Sequence, residues 1–296
     1  MPEMSDPLFS SDFLRRLELV SIAAKKAFVG TMKGEKRSTR RGSSVEFADF
    51  RSYTPGDDFR RVDWNVYGRL EKLFLKLFME EEDLDVSLLL DASTSMNYGE
   101  PKKFDYARRL AAALGYIALS NLDRVSVTSF SDTLRAQFPS TRGRGYLFRF
   151  FEFFEQLETG GATDFTASLR AFAQRAPRAG VAVVISDFLA PGGYETGLKA
   201  LMARGFEVHI IQLFDRLELR PELVGDLKLV DAETGAAKEV TISDSVLRAY
   251  RRNLEGFTAG LRNCCMKYGF AYTMTTTDAP FEELVLKSLR AAGMVK

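Results

Sequence analysis

The rhythm of apolar and polar positions changes near residue 84. Beyond that point, short apolar runs alternate with stretches in which apolar residues recur every three or four positions. The runs predict buried strands, and the periodic stretches predict amphipathic helices. The predicted strands are 84–91, 124–131, 133–138, 181–188, 206–214 and 270–276; the predicted helices are 102–120, 145–157, 164–176, 194–204, 244–267 and a closing helix from Pro280. This alternation predicts a three-layer α/β/α fold with a mostly parallel sheet.

The chain before residue 84 has a different pattern. Residues 12–28 carry apolar side chains at helical spacing and predict a helix. Residues 71–80 partly alternate and predict a strand within a β-rich region. We therefore divide the chain into an N-terminal helix plus β-rich region, 1–80, and an α/β domain, 81–296. That domain carries a hairpin insertion at about 219–243, because 227–243 has two alternating runs around Thr234-Gly235.

Composition and charge narrow the functional class. The 296 residues are 46% hydrophobic and 27% charged, with a net charge of +1, which is typical of a globular protein rather than a polycation. The longest uncharged apolar run, 110–122, is too short to cross a bilayer, and the N-terminus lacks the apolar core of a signal peptide. We therefore predict a cytoplasmic protein without a membrane segment. The basic stretch 33–41 leaves a nucleic-acid-associated factor as an alternative.

Histidine and cysteine usage excludes several mechanisms. His209 is the only histidine and lies in a predicted buried strand, so Ser-His-Asp, Cys-His and zinc-histidine sites are disfavoured. Cys264 and Cys265 are adjacent, which suits free thiols on a helix better than a disulfide.

Polar side chains follow the predicted strands where a site would form. In an open parallel sheet, ligands bind beyond the carboxyl ends of the strands, at the point where strand order reverses. The candidate residues at these places are Asp91, Ser93, Ser95, Thr163 and Asp187. Because every donor is an oxygen, the set predicts a hard cation, Mg²⁺, with Mn²⁺ or Ca²⁺ as substitutes. The alternative interpretation is a set of strand-end turns and helix caps, and Asp164 suits a cap.

The same five residues resemble a known motif. A D-x-S-x-S sequence after a buried strand, a threonine in a later glycine-rich loop and an aspartate after a further strand are similar to the metal-ion-dependent adhesion site (MIDAS) of von Willebrand factor A-like domains. That resemblance implies a von Willebrand A-like fold. It also implies that Ser93 and Ser95 ligate Mg²⁺ through their hydroxyls, while Thr163, Asp91 and Asp187 act directly or through water. An acidic side chain of a partner protein would complete the shell.

A second resemblance covers 46–64, "EFADFRSYTPGDDFRRVDW", and the "VDAETG" stretch at 230–235. Both are similar to a bacterial family of unknown function that carries a von Willebrand A-like domain and is often encoded beside MoxR-type AAA+ ATPases. The first stretch is either a structural turn or a docking surface, since Arg and Trp are favoured at interfaces. The residues of this possible docking surface are Arg51, Asp57, Asp58, Arg60, Arg61 and Trp64.

These observations predict a Mg²⁺-dependent protein-binding module. The second resemblance implies an adaptor or co-chaperone that binds a MoxR-type AAA+ ATPase or its client. A metal-dependent, phosphatase-like hydrolase that uses the same pocket is the alternative. We expect no enzyme activity, because Ser93 and Ser95 lack an obvious base and the second aspartate usual in Asp-nucleophile phosphatases is replaced by Ser93.

Overall fold

The computed structural model describes residues 9–23, 46–54, 59, 62–79 and 84–296. The chain forms two compact units, one made of Met1–Ala27 with Leu84–Lys296 and the other of Phe28–Asp83. We assigned the N-terminal helix to the region 1–80, but it belongs to the unit that contains the α/β sheet.

The first helix, α1 (Ser11–Leu17), is shorter than predicted. Our prediction of a helix over 12–28 is wrong for residues 18–23, and residues 24–28 lie outside the described part of the chain. After the helix, the backbone of residues 21–23 bonds to the C-terminus: the N–H of Ala23 donates to Met294 O over 2.9 Å, and the N–H of Lys296 to Ser21 O over 2.8 Å. These long-range bonds replace the bonds of a continuing helix.

The smaller unit contains an antiparallel pair of strands, β1 (Glu46–Ser52) and β2 (Phe74–Met79), and the helix α2 (Trp64–Leu70). The strand predicted over 71–80 is confirmed by β2. The helix was not predicted, and its start is fixed by Asp63, whose Oδ1 accepts hydrogen bonds from the backbone N–H groups of Asn65 and Val66.

The larger unit is built on a six-stranded sheet. Its strands are β3 (Asp85–Asp91), β4 (Arg124–Phe130), β5 (Leu134–Arg142), β6 (Val181–Ser186), β7 (Glu207–Phe214) and β10 (Ala271–Thr276). Their spatial order is β10-β7-β6-β3-β4-β5, and every neighbouring pair is parallel except β4 and β5. Strand order therefore reverses between β3 and β6, which makes their carboxyl ends the expected place for a ligand.

Helices cover both faces of this sheet. They are α3 (Lys103–Ser120), α4 (Leu147–Glu155), α5 (Phe165–Arg175), α6 (Glu195–Ala203), α7 (Arg216–Leu219), α8 (Asp244–Tyr268), α9 (Phe281–Glu283) and α10 (Leu289–Ala291). One face packs against α5, α6 and α8, with Leu89, Val184 and Ile210 among the buried side chains of that core. Helix α3 packs against the middle strands, where the alternate residues Leu88 and Leu90 are fully buried. The predicted three-layer α/β/α fold with a mostly parallel sheet is confirmed.

The predicted hairpin is also present. Strands β8 (Gly225–Val230) and β9 (Ala237–Ile242) pair antiparallel, and most of their residues are exposed. The hairpin follows α7 directly and precedes α8. It therefore attaches to the domain at the carboxyl end of β7, the same edge of the sheet at which the candidate site lies.

Candidate metal centre

Asp91 is the last residue of β3 and is fully buried. Its Oδ1 accepts a hydrogen bond from the backbone N–H of Ser93 over 2.9 Å, which turns the chain sharply after the strand. The hydroxyl oxygens of Ser93 and Ser95 lie 2.9 Å apart. The three residues of the D-x-S-x-S motif thus form one compact oxygen-rich loop.

The carboxyl end of β6 completes this side of the site. Ser186, its last residue, donates a 2.6 Å hydrogen bond to Asp91 Oδ2, and Asp187 follows. Burial, followed by the negative charge of Asp187, raises the pKa of Asp91 to about 7, although the hydrogen bonds from Ser186 and Ser93 act to lower it. Two carboxylates close enough to repel each other therefore meet at the switch point of the sheet.

The loop that carries Thr163 is bonded to the same place. The N–H of Gly160 donates to Ala92 O over 2.7 Å, and the backbone N–H and hydroxyl of Thr94 donate to Gly161 O over 3.0 and 3.1 Å. Thr94 therefore has a structural role that its sequence position did not reveal. Thr163 follows two residues beyond this attachment.

Asp164 is confirmed as a helix cap. Its Oδ1 accepts from the N–H of Ala167 over 2.9 Å at the start of α5.

We expect Asp164→Ala to lower the free energy of unfolding by about 1 kcal/mol, because it removes this cap. Urea unfolding measures the loss, and Mg²⁺ titration of the same variant checks the site. A large fall in Mg²⁺ affinity would contradict a purely capping role.

Lys103 is a site residue that the sequence did not reveal. It begins α3, is 1% exposed, and its Nζ lies 2.6 Å from both Asp187 Oδ2 and Glu218 Oε1. Burial alone would lower the pKa of Lys103, but the two carboxylates outweigh it and raise the pKa above its ordinary value. Glu218 lies on α7 and also accepts from the N–H of Asp215 over 2.8 Å. Lys103 therefore ties Asp187 to the segment that leads into the hairpin.

Glu233 is a second residue that sequence reasoning missed. It lies at the tip of the β8–β9 hairpin, and both of its carboxylate oxygens accept from Thr163. The Thr163 N–H donates to Oε2 over 3.1 Å, and the Thr163 hydroxyl donates to Oε1 over 2.8 Å. The "VDAETG" stretch thus reaches the site loop.

The donor chemistry fits a hard divalent cation. In the described part of the chain, no group of three or more His, Cys, Asp or Glu side chains is placed to hold a metal ion. A cation at this edge would instead rely on the hydroxyls of Ser93, Ser95 and Thr163 with two carboxylates. Such a set suits Mg²⁺, which keeps several water ligands, and a cation would relieve the repulsion between Asp91 and Asp187.

The histidine and the two cysteines lie outside the candidate site. His209 is buried in β7, with Nε2 3.2 Å from Glu207 Oε1, and its register with Val183 and Leu88 places it away from the strand ends that carry the site. Cys264 is half-buried and Cys265 buried, and both thiols are free, as predicted.

The possible docking surface is described only in part. Trp64 begins α2 and is 58% exposed, and Arg51 lies in β1. Asp57, Asp58, Arg60 and Arg61, like the basic stretch 33–41, lie outside the described residues.

Sequence comparisons match this chain to one family and to several relatives. A model of the family described as "Protein of unknown function DUF58" matches residues 49–256. An uncharacterized protein of Mycobacterium tuberculosis is 29% identical over 271 residues, which cover 88% of this chain and 84% of the relative. An uncharacterized protein of Mycobacterium avium is 40% identical over 85 residues, 29% of this chain and 49% of that protein.

Solved structures with a similar fold include the conserved hypothetical protein BatB from Bacteroides thetaiotaomicron. It is 16% identical, with a TM-score of 0.44 over 71% of this chain and 98% of that one. Within the residues that the structure describes, no helix has the length and apolar character of a membrane span. The family model matches more than half of this chain, which therefore belongs to the DUF58 family of proteins of unknown function.

Proposed function

We propose that this protein binds partner proteins through a divalent cation, Mg²⁺, held at the carboxyl ends of β3 and β6. The observation that supports the proposal best is the placement of Asp91, a fully buried carboxylate beside Asp187 and next to the paired hydroxyls of Ser93 and Ser95. Burying two neighbouring carboxylates is costly unless a positive charge compensates them.

The residues have distinct roles in this proposal. Ser93, Ser95 and Thr163 would hold the cation through neutral hydroxyls, and Asp91 and Asp187 would act directly or through water. The bound cation supplies a positive charge that attracts a carboxylate. Asp91 is kept in place by Ser93 N–H and Ser186 Oγ, and Lys103 already neutralises part of the charge of Asp187. Because few ligands carry charge, the cation would keep affinity for an acidic side chain of a partner.

The partner that we propose is a MoxR-type AAA+ ATPase or one of its clients. This step rests on the resemblance of residues 46–64 and 230–235 to a family often encoded beside such ATPases. The chemistry of the site asks only that the partner present an Asp or Glu side chain to the cation.

Ser95→Ala is the sharpest test, because it removes one proposed direct ligand from a partly buried position without adding charge. We expect it to weaken Mg²⁺ binding at least about tenfold by calorimetry, and to weaken binding of the purified ATPase from the same organism to the same degree. EDTA should abolish that binding in the parent protein.

A matched control is available at the start of α8. The hydroxyls of Ser243 and Ser245 also lie 2.8 Å apart, but they are exposed and far along the chain from the site. Ser245→Ala should leave both affinities unchanged. ATPase binding that is equal in Mg²⁺ and EDTA would contradict the cation bridge.

A further inference from the structure

The tip of the β8–β9 hairpin places a carboxylate of this chain on Thr163, one of the proposed cation ligands. Glu233 receives two hydrogen bonds from Thr163, one from the backbone and one from the hydroxyl. Thr163 is a proposed cation ligand, and its loop is bonded to the loop of Ser93 and Ser95. A carboxylate at this position has the chemistry that the proposed function assigns to a partner.

The turn is built to present Glu233. Asp231 Oδ1 accepts hydrogen bonds from the N–H of Glu233, the N–H of Thr234 and the hydroxyl of Thr234, over 3.0, 2.7 and 2.9 Å. Gly235 then adopts a positive φ of 70°, which a glycine adopts without strain, and its N–H donates to Asp231 O over 2.9 Å. These bonds fix the backbone of the tip from which the Glu233 side chain extends to Thr163.

The rest of the hairpin is weakly anchored. Along β8 and β9 only Ile242 is buried, and Leu229 and Val230 are 44% and 60% exposed. Little apolar area therefore holds the hairpin down, and breaking the contact between Glu233 and Thr163 would cost little beyond two hydrogen bonds. The tip is suited to a contact that forms and breaks.

Thr163 is able to bond to Glu233 and to a cation at the same time. A threonine hydroxyl has one hydrogen to donate and two lone pairs to offer. With its hydrogen directed to Glu233 Oε1, its oxygen keeps lone pairs for a cation. A carboxylate held in this way lies next to a cation bound by Thr163, Ser93 and Ser95.

We infer that Glu233 is an internal acidic ligand of the metal site, which completes the shell of the cation and occupies the place of the partner's carboxylate. The inference rests on the proposed function and adds its regulation. A partner must displace Glu233 from the cation, so the contact between the hairpin and the site lowers the affinity of the partner. The "VDAETG" stretch would then supply an internal ligand to the domain that carries the metal site.

Mn²⁺ is a suitable probe, because electron paramagnetic resonance measures its affinity and water-proton relaxation measures how many waters it retains. We expect Glu233→Ala to weaken Mn²⁺ binding about tenfold and to add about one bound water. Millimolar acetate should remove that extra water in Glu233→Ala and have no effect on the parent protein. Glu239→Ala, the same change at an exposed position on β9, is the matched control and should behave as the parent.

The outcomes separate this inference from the proposed function. If the parent binds Mn²⁺ and Ser95→Ala weakens that binding, but Glu233→Ala changes neither affinity nor hydration, the internal ligand is wrong and the metal site stands. If the parent binds no Mn²⁺, or Ser95→Ala has no effect, both are wrong. An acetate effect of equal size in parent and variant also overturns the internal ligand.

Discussion

Replacing Lys103 with methionine is expected to lower the free energy of unfolding by about 3 to 5 kcal/mol. The Lys103 side chain is 1% exposed, and its ammonium group lies between Asp187 and Glu218. Methionine fills much of the same volume but supplies no charge, so two carboxylates would remain without their shared cation. Breaking a buried ion pair from one side is costly for this reason, although the intact pair itself adds little net stability.

Lys199→Met is the matched control for this variant. Lys199 also pairs with a glutamate, Glu195, at 2.7 Å, but its side chain is 45% exposed. Such a pair contributes at most about 1 kcal/mol, so the control should unfold in urea almost as the parent does. Equal losses of unfolding free energy in the two variants would show that burial of Lys103 does not increase the cost of removing its charge. Saturating Mg²⁺ should restore part of the loss in Lys103→Met, because the cation would compensate Asp187.

The proximity of Asp91 and Asp187, two residues of the proposed site, was predictable because it follows from their positions along the chain. Asp91, Ser93 and Ser95 come directly after a run of leucines, and Asp187 comes after a run of valine and isoleucine. Parallel strands bring their carboxyl ends to one edge, so the linear order already implied proximity. The structure places Asp91 and Asp187 close enough for one to raise the pKa of the other.

Lys103, Glu218 and Glu233 were not predictable in this way. Their contacts with the site join residues 84, 115 and 70 positions apart. Lys102 and Lys103 are the same residue type in the same helix start, yet Lys102 is exposed and Lys103 is buried. Only the packing of α3 against the end of β6 and against α7 distinguishes them. The sequence around the two lysines does not indicate which of them is buried.

The end of α1 shows a related limit. Apolar residues continue at helical spacing after Leu17, and Val20 is buried as a helical pattern would require. The backbone nevertheless leaves the helix, because residues 21–23 bond to the C-terminal residues more than 250 positions away. Periodicity reports which side chains are buried, and it reports backbone conformation only when no distant partner competes for the hydrogen bonds.

The largest functional effect is expected from Asp91→Asn. In the metal-free protein, the pKa of Asp91 rises from 3.8 to about 7. A raised pKa means that the neutral form favours folding, so this contribution is fully present below pH 3.8 and is lost as the pH rises through about 7. Since each pH unit between the two values is worth about 1.36 kcal/mol, the whole loss is on the order of 4 kcal/mol.

Asparagine stays neutral at every pH, so the variant should lack this dependence. In EDTA, we expect the parent protein to lose stability relative to Asp91→Asn as the pH rises from about 4 to 7, and the variant to be the more stable of the two at pH 8. Urea unfolding at a series of pH values measures the difference. Asp226→Asn, an exposed position on β8, is the control and should leave the pH dependence of the parent unchanged.

Addition of Mg²⁺ should reverse that ranking at pH 8. A cation binds the ionised carboxylate and stabilises the folded parent by about 2.7 kcal/mol at 100 times its dissociation constant, whereas Asp91→Asn should gain much less. The same residue would then destabilise the empty protein and stabilise the loaded one, which is the expected behaviour of a carboxylate buried in order to bind a cation. Equal Mg²⁺ stabilisation of parent and variant would place the cation elsewhere in the molecule and leave the burial of Asp91 without a functional reason.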